Sequence, residues 1–401
     1  MERREFLWCC GIEDTFIGHP HPQTKKRLDE YELTDHYTLW REDFDRVASL
    51  GVDALRWGIP WYRVQPSPTQ WEWGFVDEAL NYLVNEVKVN PILDLMHYGT
   101  PIWLEDALLH PDYPQWVEEY TARVIERYGH LLTHATPFNE PHTAAEFAGR
   151  RGQWPPYRTD YTGYFAVYLN VMHGTLRQTR LLQQAGIACV QVECSGGSFA
   201  RSQELSEQAL VDTTVQSMFF DFLIGDMDAL KPIIPFMRAH GVSDTDLSFF
   251  SSHAPGIDIM GVNFYPQFSF QDIELDAHGQ VQRTNSPLWT DDMMRILRQR
   301  YETYKVPMMI TETSVRDDNE LKEAWLLDST TAVYEAYLDG LPVYGYTWFP
   351  VIDMYDWEYR IQEGEKDEFK ACFGFYNQAR EEYCGAPHYR AIIERAKGNR
   401  V

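Results

Sequence analysis

Short apolar segments alternate with longer amphipathic segments along most of the chain. One apolar segment, residues 308–313, is rich in β-preferring residues and ends in the carboxylate of Glu312. Such a run is typical of a buried strand in a parallel sheet, with the polar residue at its carboxyl end. Similar strands are predicted at residues 7–12, 54–60, 91–97, 135–141, 188–193, 257–265 and 343–348.

The segments between these strands have the apolar spacing of helices. In the first of them, Leu39, Phe44, Val47 and Leu50 share one face, and Gly51 provides a helix stop. Helices are predicted at residues 37–50, 75–87, 116–128, 164–184, within 206–237, and at 291–304, 320–338 and 389–397. The polar stretch 269–287 is predicted to be a hairpin or loop excursion.

Eight strands that alternate with eight helices predict an α/β fold, a single (β/α)8 TIM barrel over residues 1–401. A doubly wound open sheet is the alternative. It fits less well because no G-x-G-x-x-G follows the first strand and the chain has no P-loop. In a barrel, the active site is expected on the loops at the carboxyl ends of the strands.

Composition narrows the class of partner. The 35 basic and 60 acidic residues give a net charge of −25, which disfavours a nucleic-acid partner. No segment is apolar enough to span a membrane, and residues 1–8 carry too short an apolar stretch for a signal peptide, so a cytoplasmic location is expected. The six cysteines lack C-x-x-C spacing and are expected to be buried free thiols.

Polar or aromatic residues stand at the predicted carboxyl end of nearly every strand. Any single one has a structural explanation, such as pairing with a neighbour, but a barrel interior gains nothing from a whole ring of them. Two carboxylates beside an arginine, with aromatic faces nearby, suit cleavage of a glycosidic bond. The ring comprises Glu13, Arg56, His97, Asn139, Glu140, Glu193, Asn263, Tyr265, Glu312 and Trp348.

The segments around two of these carboxylates resemble glycoside hydrolase family 1, the β-glucosidase family. Residues 136–141 read T-P-F-N-E-P, similar to the family's T-x-N-E-P, and residues 310–313 read I-T-E-T, similar to its I-T-E-N-G. Supporting stretches follow in family order from about residue 10 to residue 375. The resemblance implies a barrel enzyme that acts on a small-molecule glycoside without a metal or organic cofactor.

The same resemblance implies a role for each matching residue. By position, Glu140 matches the acid/base and Glu312 the nucleophile. Asn139 is implied to bind the sugar 2-hydroxyl and His97 the 3-hydroxyl. Arg56 and Tyr265 match residues that hold the nucleophile ionised, because a nearby cation and a hydroxyl donor both lower the pKa of a carboxylate. The remaining predicted substrate-binding residues are Glu13, Asn263, Trp348, Asp356 and Trp357.

Departures from the family pattern cluster at the sugar-binding end. Gly11 stands where the family has a glutamine, and Asp356 where a longer glutamate would bind O4 and O6. Trp348 lies one residue further from Asp353 than the family spacing predicts. Glu193 is an additional carboxylate for which loop pairing is the simplest explanation. We therefore expect intact catalytic residues and a rebuilt sugar pocket.

The function predicted is a retaining β-glycosidase that hydrolyses a neutral β-glycoside. Transglycosylation, in which an acceptor hydroxyl replaces water, is the nearest alternative. A non-catalytic sugar-binding barrel would be favoured had either Glu140 or Glu312 been replaced. A metal-dependent sugar isomerase is a third alternative. It would require a His/Asp ligand cluster around Glu140, Glu193 and Glu312, which the sequence does not provide. The sequence leaves the oligomeric state open.

Overall fold

A computed structural model describes residues 4–398, so the first three residues of the N-terminal segment discussed above lie outside it. Eight parallel strands close into a barrel, with each strand paired to the next and the last paired to the first. This arrangement confirms the predicted (β/α)8 fold. The strands are β1 (Leu7–Gly11), β2 (Ala54–Gly58), β3 (Asn90–Asp94), β4 (His134–Thr136), β5 (Ala188–Cys194), β6 (Ile259–Asn263), β7 (Met308–Glu312) and β8 (Val343–Trp348).

An outer layer of helices packs around the barrel. The first of them buries His36, Trp40, Phe44 and Val47, which recur three or four residues apart, so its inner face follows the helical period. The helices that precede or follow the barrel strands are α1 (His36–Ser49), α2 (Gly74–Asn81), α3 (Tyr113–Tyr128), α4 (Tyr161–Gln184), α5 (Asp244–His253), α6 (Trp289–Tyr304), α7 (Asn319–Leu338) and α8 (Gly385–Gly398).

The region between β5 and β6 differs from the single helical stretch predicted there. It contains three short helices, Ser206–Val215, Met218–Ile224 and Ile234–Ala239, before α5. Gly225 ends the second of them with a φ of +74°, a left-handed conformation that glycine adopts without steric cost. The apolar pattern is continuous through this region, but the turn at Gly225 ends the helix there.

The polar stretch after β6 forms the predicted hairpin, Phe270–Leu275 with Val281–Asn285. A strand absent from the sequence prediction, Gly197–Ala200, pairs in parallel with its first arm and completes a small three-stranded sheet. Two further ribbons pair Phe16–Ile17 with Leu28–Asp29 and Met354–Tyr355 with Lys370–Ala371.

Short helical turns decorate the loops. They include the α-helical turns Glu30–Leu33, Trp61–Val64 and Pro141–Ala144, the π-helical turns Tyr82–Val87 and Ala145–Arg150, and the 3-10 turns Ala107–Leu109, Gly129–Leu131, Gln203–Leu205, Trp357–Arg360 and Lys366–Phe369. Those after β4 and β8 build much of the barrel mouth.

The barrel interior is a packed apolar core rather than a channel. Successive residues of a strand point to opposite faces, so Cys9 packs inside the barrel while Cys10 joins the layer between strands and helices. All six cysteines are free; three are buried and Cys384 is exposed. Within residues 4–398, no helix has the length and apolar character needed to cross a membrane. The interior side chains are Cys9, Ala54, Ile92, Val190, Val192, Ile259 and Met309.

Candidate active site

Glu312 is the last residue of β7, where it is only 4% exposed and lies at the barrel mouth. Its Oε1 is paired with the guanidinium of Arg56, and its Oε2 accepts a hydrogen bond of 2.8 Å from the Tyr265 hydroxyl. Arg56 comes from β2 and is held by both carboxylate oxygens of Asp94, at 3.0 and 2.7 Å. The carboxylate of Glu312 is therefore held directly by a residue of β2 and one that follows β6, and indirectly, through Arg56, by Asp94 of β3.

Glu140 follows β4 and begins the short helix Pro141–Ala144 with a φ of +46°. Its backbone N–H donates to the carbonyl of Val192 at 3.1 Å, which ties the turn to β5. Its Oε1 accepts from Asn263 Nδ2 at 2.7 Å, and its Oε2 accepts from the Tyr98 hydroxyl at 2.7 Å. Both oxygens of this second carboxylate are thus also engaged.

Asn139 links the two carboxyl groups. Its Oδ1 accepts from Arg56 Nη2 at 2.7 Å, and its Nδ2 donates to the Tyr98 hydroxyl at 2.8 Å. A continuous hydrogen-bond path therefore runs from Glu312 through Arg56, Asn139 and Tyr98 to Glu140. Buried networks of this kind hold side chains in one geometry because every polar group has a partner.

His97 lies beside this path, with Nε2 3.1 Å from the amide nitrogen of Asn139. Its Nδ1 is 2.6 Å from Asp14 and 3.4 Å from Asp94. These three side chains bring potential metal-ligand atoms within 4.8 Å of one another. Arg56 already engages both oxygens of Asp94, so charge pairing accounts for the cluster without an ion.

The electrostatics of Glu312 differ from the expectation for an ionised nucleophile. Burial raises its pKa to about 8; Arg56 opposes the rise, and the negative charge of Glu140 adds to it. Arg56 therefore acts in the predicted direction, but the desolvation of a carboxylate in this enclosed position outweighs it. Burial likewise raises the pKa of Glu13, whose Oε1 accepts a 2.5 Å bond from the Thr15 hydroxyl.

Comparison with known proteins bears on this geometry. The family model for glycosyl hydrolase family 1 matches residues 9–196. Beta-glucosidase A of Thermotoga maritima is 23% identical over 358 residues, which cover 80% of this chain and 79% of that protein. A solved structure of a β-glucosidase from Thermotoga maritima, in complex with noeuromycin, matches with a TM-score of 0.83 at 20% identity, covering 98% of both chains. The β-glucosidase of Exiguobacterium antarcticum matches with a TM-score of 0.79.

The chain is similar to glycosyl hydrolase family 1 over residues 9–196, and its fold matches that of solved β-glucosidases over nearly its whole length.

A relative named for a different activity is the chloroplastic galactolipid galactosyltransferase of Arabidopsis thaliana, which is 24% identical over 381 residues. The match covers 84% of this chain but only 54% of that protein, so the chain spans about half the length of this plant relative. The family match includes Glu140 but ends before Glu312. Together these findings support a glycosidase-type enzyme and leave its particular reaction to be proposed.

Most of the predicted site residues converge at the barrel mouth. Trp357 packs its ring 5.6 Å from that of Tyr98 and 5.2 Å from that of Trp154, and forms an aromatic wall at the mouth. The negative charge of Glu13 adds to the rise in the pKa of Glu312. The residues joined directly to Glu140, Glu312 or each other are Arg56, His97, Asn139, Asn263 and Tyr265.

Trp348 does not lie in the pocket, and its predicted sugar contact is wrong. It is fully buried and stacks on Phe375, with ring centroids 4.7 Å apart, in the layer outside the barrel. Its neighbour Phe349 points to the opposite face and lies parallel to His97 at 6.2 Å. A Cβ on Gly11 would approach the Phe349 ring to 2.2 Å. The space that a glutamine side chain would need at position 11 is therefore occupied by the ring of Phe349.

Asp356 is already engaged by other protein groups. Its Oδ2 pairs with Arg316 at 2.5 Å, and its Oδ1 accepts from the backbone N–H of Glu358 at 2.8 Å. Its predicted role in binding O4 and O6 stays a prediction, now with a cation beside it. Sequence reasoning missed Arg316 and Phe349 because neither occupies a predicted motif position; it also missed Tyr98, although Tyr98 directly follows His97.

Proposed function

We propose that this protein is a retaining β-glycosidase that hydrolyses a neutral β-glycoside through a covalent glycosyl-enzyme. The observation that carries the proposal is the single buried network joining Glu140 and Glu312 at the carboxyl end of the barrel. Each carboxyl has a distinct set of partners, a cation and a phenol for Glu312 and an amide and a phenol for Glu140. Two carboxyl groups with different environments suit two different roles.

The proposed reaction has two steps. In the first, Glu140 protonates the glycosidic oxygen while a carboxylate oxygen of Glu312 attacks the anomeric carbon; the glycosidic bond breaks and a glycosyl ester forms. In the second, Glu140 accepts a proton from water, whose oxygen attacks the anomeric carbon and releases Glu312. Tyr265 and Arg56 hold Glu312 in place for both attacks.

A neutral glycone is favoured by the charges around the sugar-binding end. Residues 358–370 contain four glutamates and one aspartate against one arginine and two lysines. Those cations are engaged: Arg360 donates to the backbone carbonyls of Gln153 and His19, Lys366 donates to that of Leu33, and Lys370 pairs with Asp367. A phosphate dianion needs surplus donors and positive charge, which this loop does not supply.

Transfer of the glycosyl group to an acceptor hydroxyl is the second candidate. The plant relative named as a galactolipid galactosyltransferase supports it, as does the aromatic group at the mouth. In that group Phe147 stacks on Trp154 at 4.5 Å and contacts Trp357 edge-on at 5.3 Å. Flat apolar surfaces of this type can hold an acceptor in place of water.

One set of assays tests these proposals. Aryl β-glycosides of glucose, galactose, mannose, fucose, xylose and glucuronic acid are supplied with and without an added alcohol, and the products are followed by NMR. Release of the β anomer first is expected, and an alkyl glycoside as main product would favour transfer over hydrolysis. Release of the α anomer first contradicts retention. No turnover on any glycoside would favour the sugar-binding barrel.

A further inference from the structure

Glu193, on β5, is a buried carboxylate that the proposed reaction does not use. It is 0% exposed, and within residues 4–398 it forms no ion pair with a lysine, arginine or histidine. Its Oε2 accepts the backbone N–H of His142 at 3.0 Å, and its Oε1 accepts the backbone N–H of Cys194 at 2.9 Å. A carboxylate is rarely buried without a charged partner, so this position calls for a specific explanation.

The contact with His142 acts on the turn that presents Glu140. Glu140 has a φ of +46°, which is unfavourable for a side chain larger than glycine, and the helix after it has only four residues. The amide of His142 is among the first-turn donors that a helix leaves without an intrahelical partner. Glu193 supplies that partner from the neighbouring strand.

Two consecutive residues of β5 therefore hold the turn from both sides. The carbonyl of Val192 accepts the N–H of Glu140 at 3.1 Å, and the side chain of Glu193 accepts the N–H two residues later. Burial raises the pKa of Glu193 well above its ordinary value, and the nearby charge of Glu140 adds to this.

We propose that Glu193 is a positioning residue that sets the turn carrying Glu140, so that this carboxyl reaches the glycosidic oxygen. The inference rests on the proposed function, since it concerns the proton-transfer role of Glu140. Removal of the contact leaves the side-chain bonds of Glu140 to Tyr98 and Asn263 in place but frees the backbone beneath them. The loss should fall mainly on steps that need proton transfer, because this turn carries Glu140 itself, whereas the direct partners of Glu312, Arg56 and Tyr265, lie elsewhere in the barrel.

The test compares wild type with Glu193→Gln and a matched control, Asp258→Asn. Glutamine has the same shape, but its NH2 group cannot accept one of the two backbone N–H groups. Asp258 accepts the backbone N–H of Cys189 at 3.0 Å, at the opposite end of the same strand and away from the site. Each protein is assayed with a dinitrophenyl β-glycoside, whose leaving group needs no protonation, and with an alkyl β-glycoside, whose leaving group does.

General acid catalysis contributes about 100-fold or more, so for Glu193→Gln a fall of about 10- to 100-fold in kcat/KM is expected on the alkyl substrate. The dinitrophenyl substrate should change by less than about threefold on the same reasoning. Asp258→Asn should leave the ratio of the two substrates unchanged. Equal losses on both substrates, or no loss on either, would overturn the positioning role.

Two further measurements keep the inference testable. Trapping with a dinitrophenyl 2-deoxy-2-fluoro-β-glycoside counts the folded sites, because it reports attack by Glu312 alone. If Glu193→Gln does not fold, Glu193→Asp shortens the side chain and keeps its carboxyl group, and the same loss confined to the alkyl substrate is expected. A wild-type protein inactive on both substrates would instead refute the proposed function, and this inference with it.

Discussion

At the scale of single residues, the environment of Glu312 predicts an unusual pH dependence. Attack needs the ionised carboxylate, and burial raises the pKa of Glu312 to about 8 from its ordinary value of 4.5. Because the group is protonated below its pKa, kcat/KM should rise with pH and level off above about 8. A pH profile with a dinitrophenyl β-glycoside isolates this limb, since its leaving group needs no acid. An acid limb near pH 4.5 would contradict the prediction.

The roles of the two glutamates are separable by mutation. Glu312→Ala should remove essentially all turnover, and azide or formate should restore part of it with inverted product, because a small anion fills the vacated site. Glu140→Ala should leave kcat/KM on dinitrophenyl glycosides largely unchanged, because kcat/KM reports the first step, and should abolish most activity on alkyl glycosides. Equal loss in both variants on every substrate would show that the assignment is wrong.

Gly11 and Phe349 should show strong energetic coupling. A Cβ on Gly11 would lie 2.2 Å from the buried Phe349 ring, so Gly11→Ala should lower the free energy of unfolding by about 1–3 kcal/mol through overpacking. In a Phe349→Ala background the same change should cost little, because the ring is gone. Denaturant unfolding of the four proteins in this cycle measures the coupling, and additive effects would contradict the contact.

At the scale of elements, Glu146 anchors the π-helical turn Ala145–Arg150, which continues from the turn that carries Glu140. Its carboxylate is 8% exposed and pairs with Arg150 and, at 2.7 Å, with Arg151. Although burial alone would raise it, these cations lower the pKa of Glu146 to about 2 from 4.5. A carboxylate whose pKa is lower in the folded state than in the unfolded state stabilises the fold at pH values above its unfolded-state pKa. This stabilisation is lost as the pH falls through its folded-state pKa.

Glu146→Gln should therefore reduce the free energy of unfolding by about 2–3 kcal/mol at pH 7, with the deficit shrinking between pH 4.5 and 2. Glu119→Gln provides the control, since Glu119 and Arg123 form an exposed pair 3.8 Å apart. That variant should change stability by less than about 0.5 kcal/mol. A deficit for Glu146→Gln that does not depend on pH would show that packing, rather than charge, is lost.

At the scale of the whole molecule, the net charge of −25 bears on substrate choice. The field of such a protein repels anions, and salt screens it over about 10 Å at 0.1 M ionic strength. An aryl 6-phospho-β-glucoside should therefore have a lower kcat/KM than the neutral β-glucoside, and added salt should narrow the gap. A preference for the phosphorylated sugar would refute the proposal of a neutral glycone. Selectivity of more than tenfold for glucose over both galactose and fucose would show that the pocket is tighter than the departures at Gly11 and Asp356 predict.

Much of this architecture follows from local sequence. Strand and helix periods depend on residues a few positions apart, so the alternating pattern predicts eight β/α units without knowledge of any contact. A polar residue that follows a buried strand must lie at the carboxyl end of that strand. The strand pattern and the motifs therefore predicted that Glu140, Asn263 and Glu312 lie at the barrel mouth, where the structure has them. Their meeting in one network follows from closure of the barrel.

Other features were decided only by the tertiary structure. Whether Trp348 or Phe349 enters the pocket depends on which face of β8 each occupies, and on the room that Gly11 leaves on a strand far away in sequence. No sequence pattern predicts that Asp356 pairs with Arg316, or that Glu193 accepts the amide N–H of His142. The sequence by itself determined the barrel and its two carboxylates, because periodicity is local. The partners and the pKa of each carboxylate arose from burial and long-range packing, which only the folded chain defines.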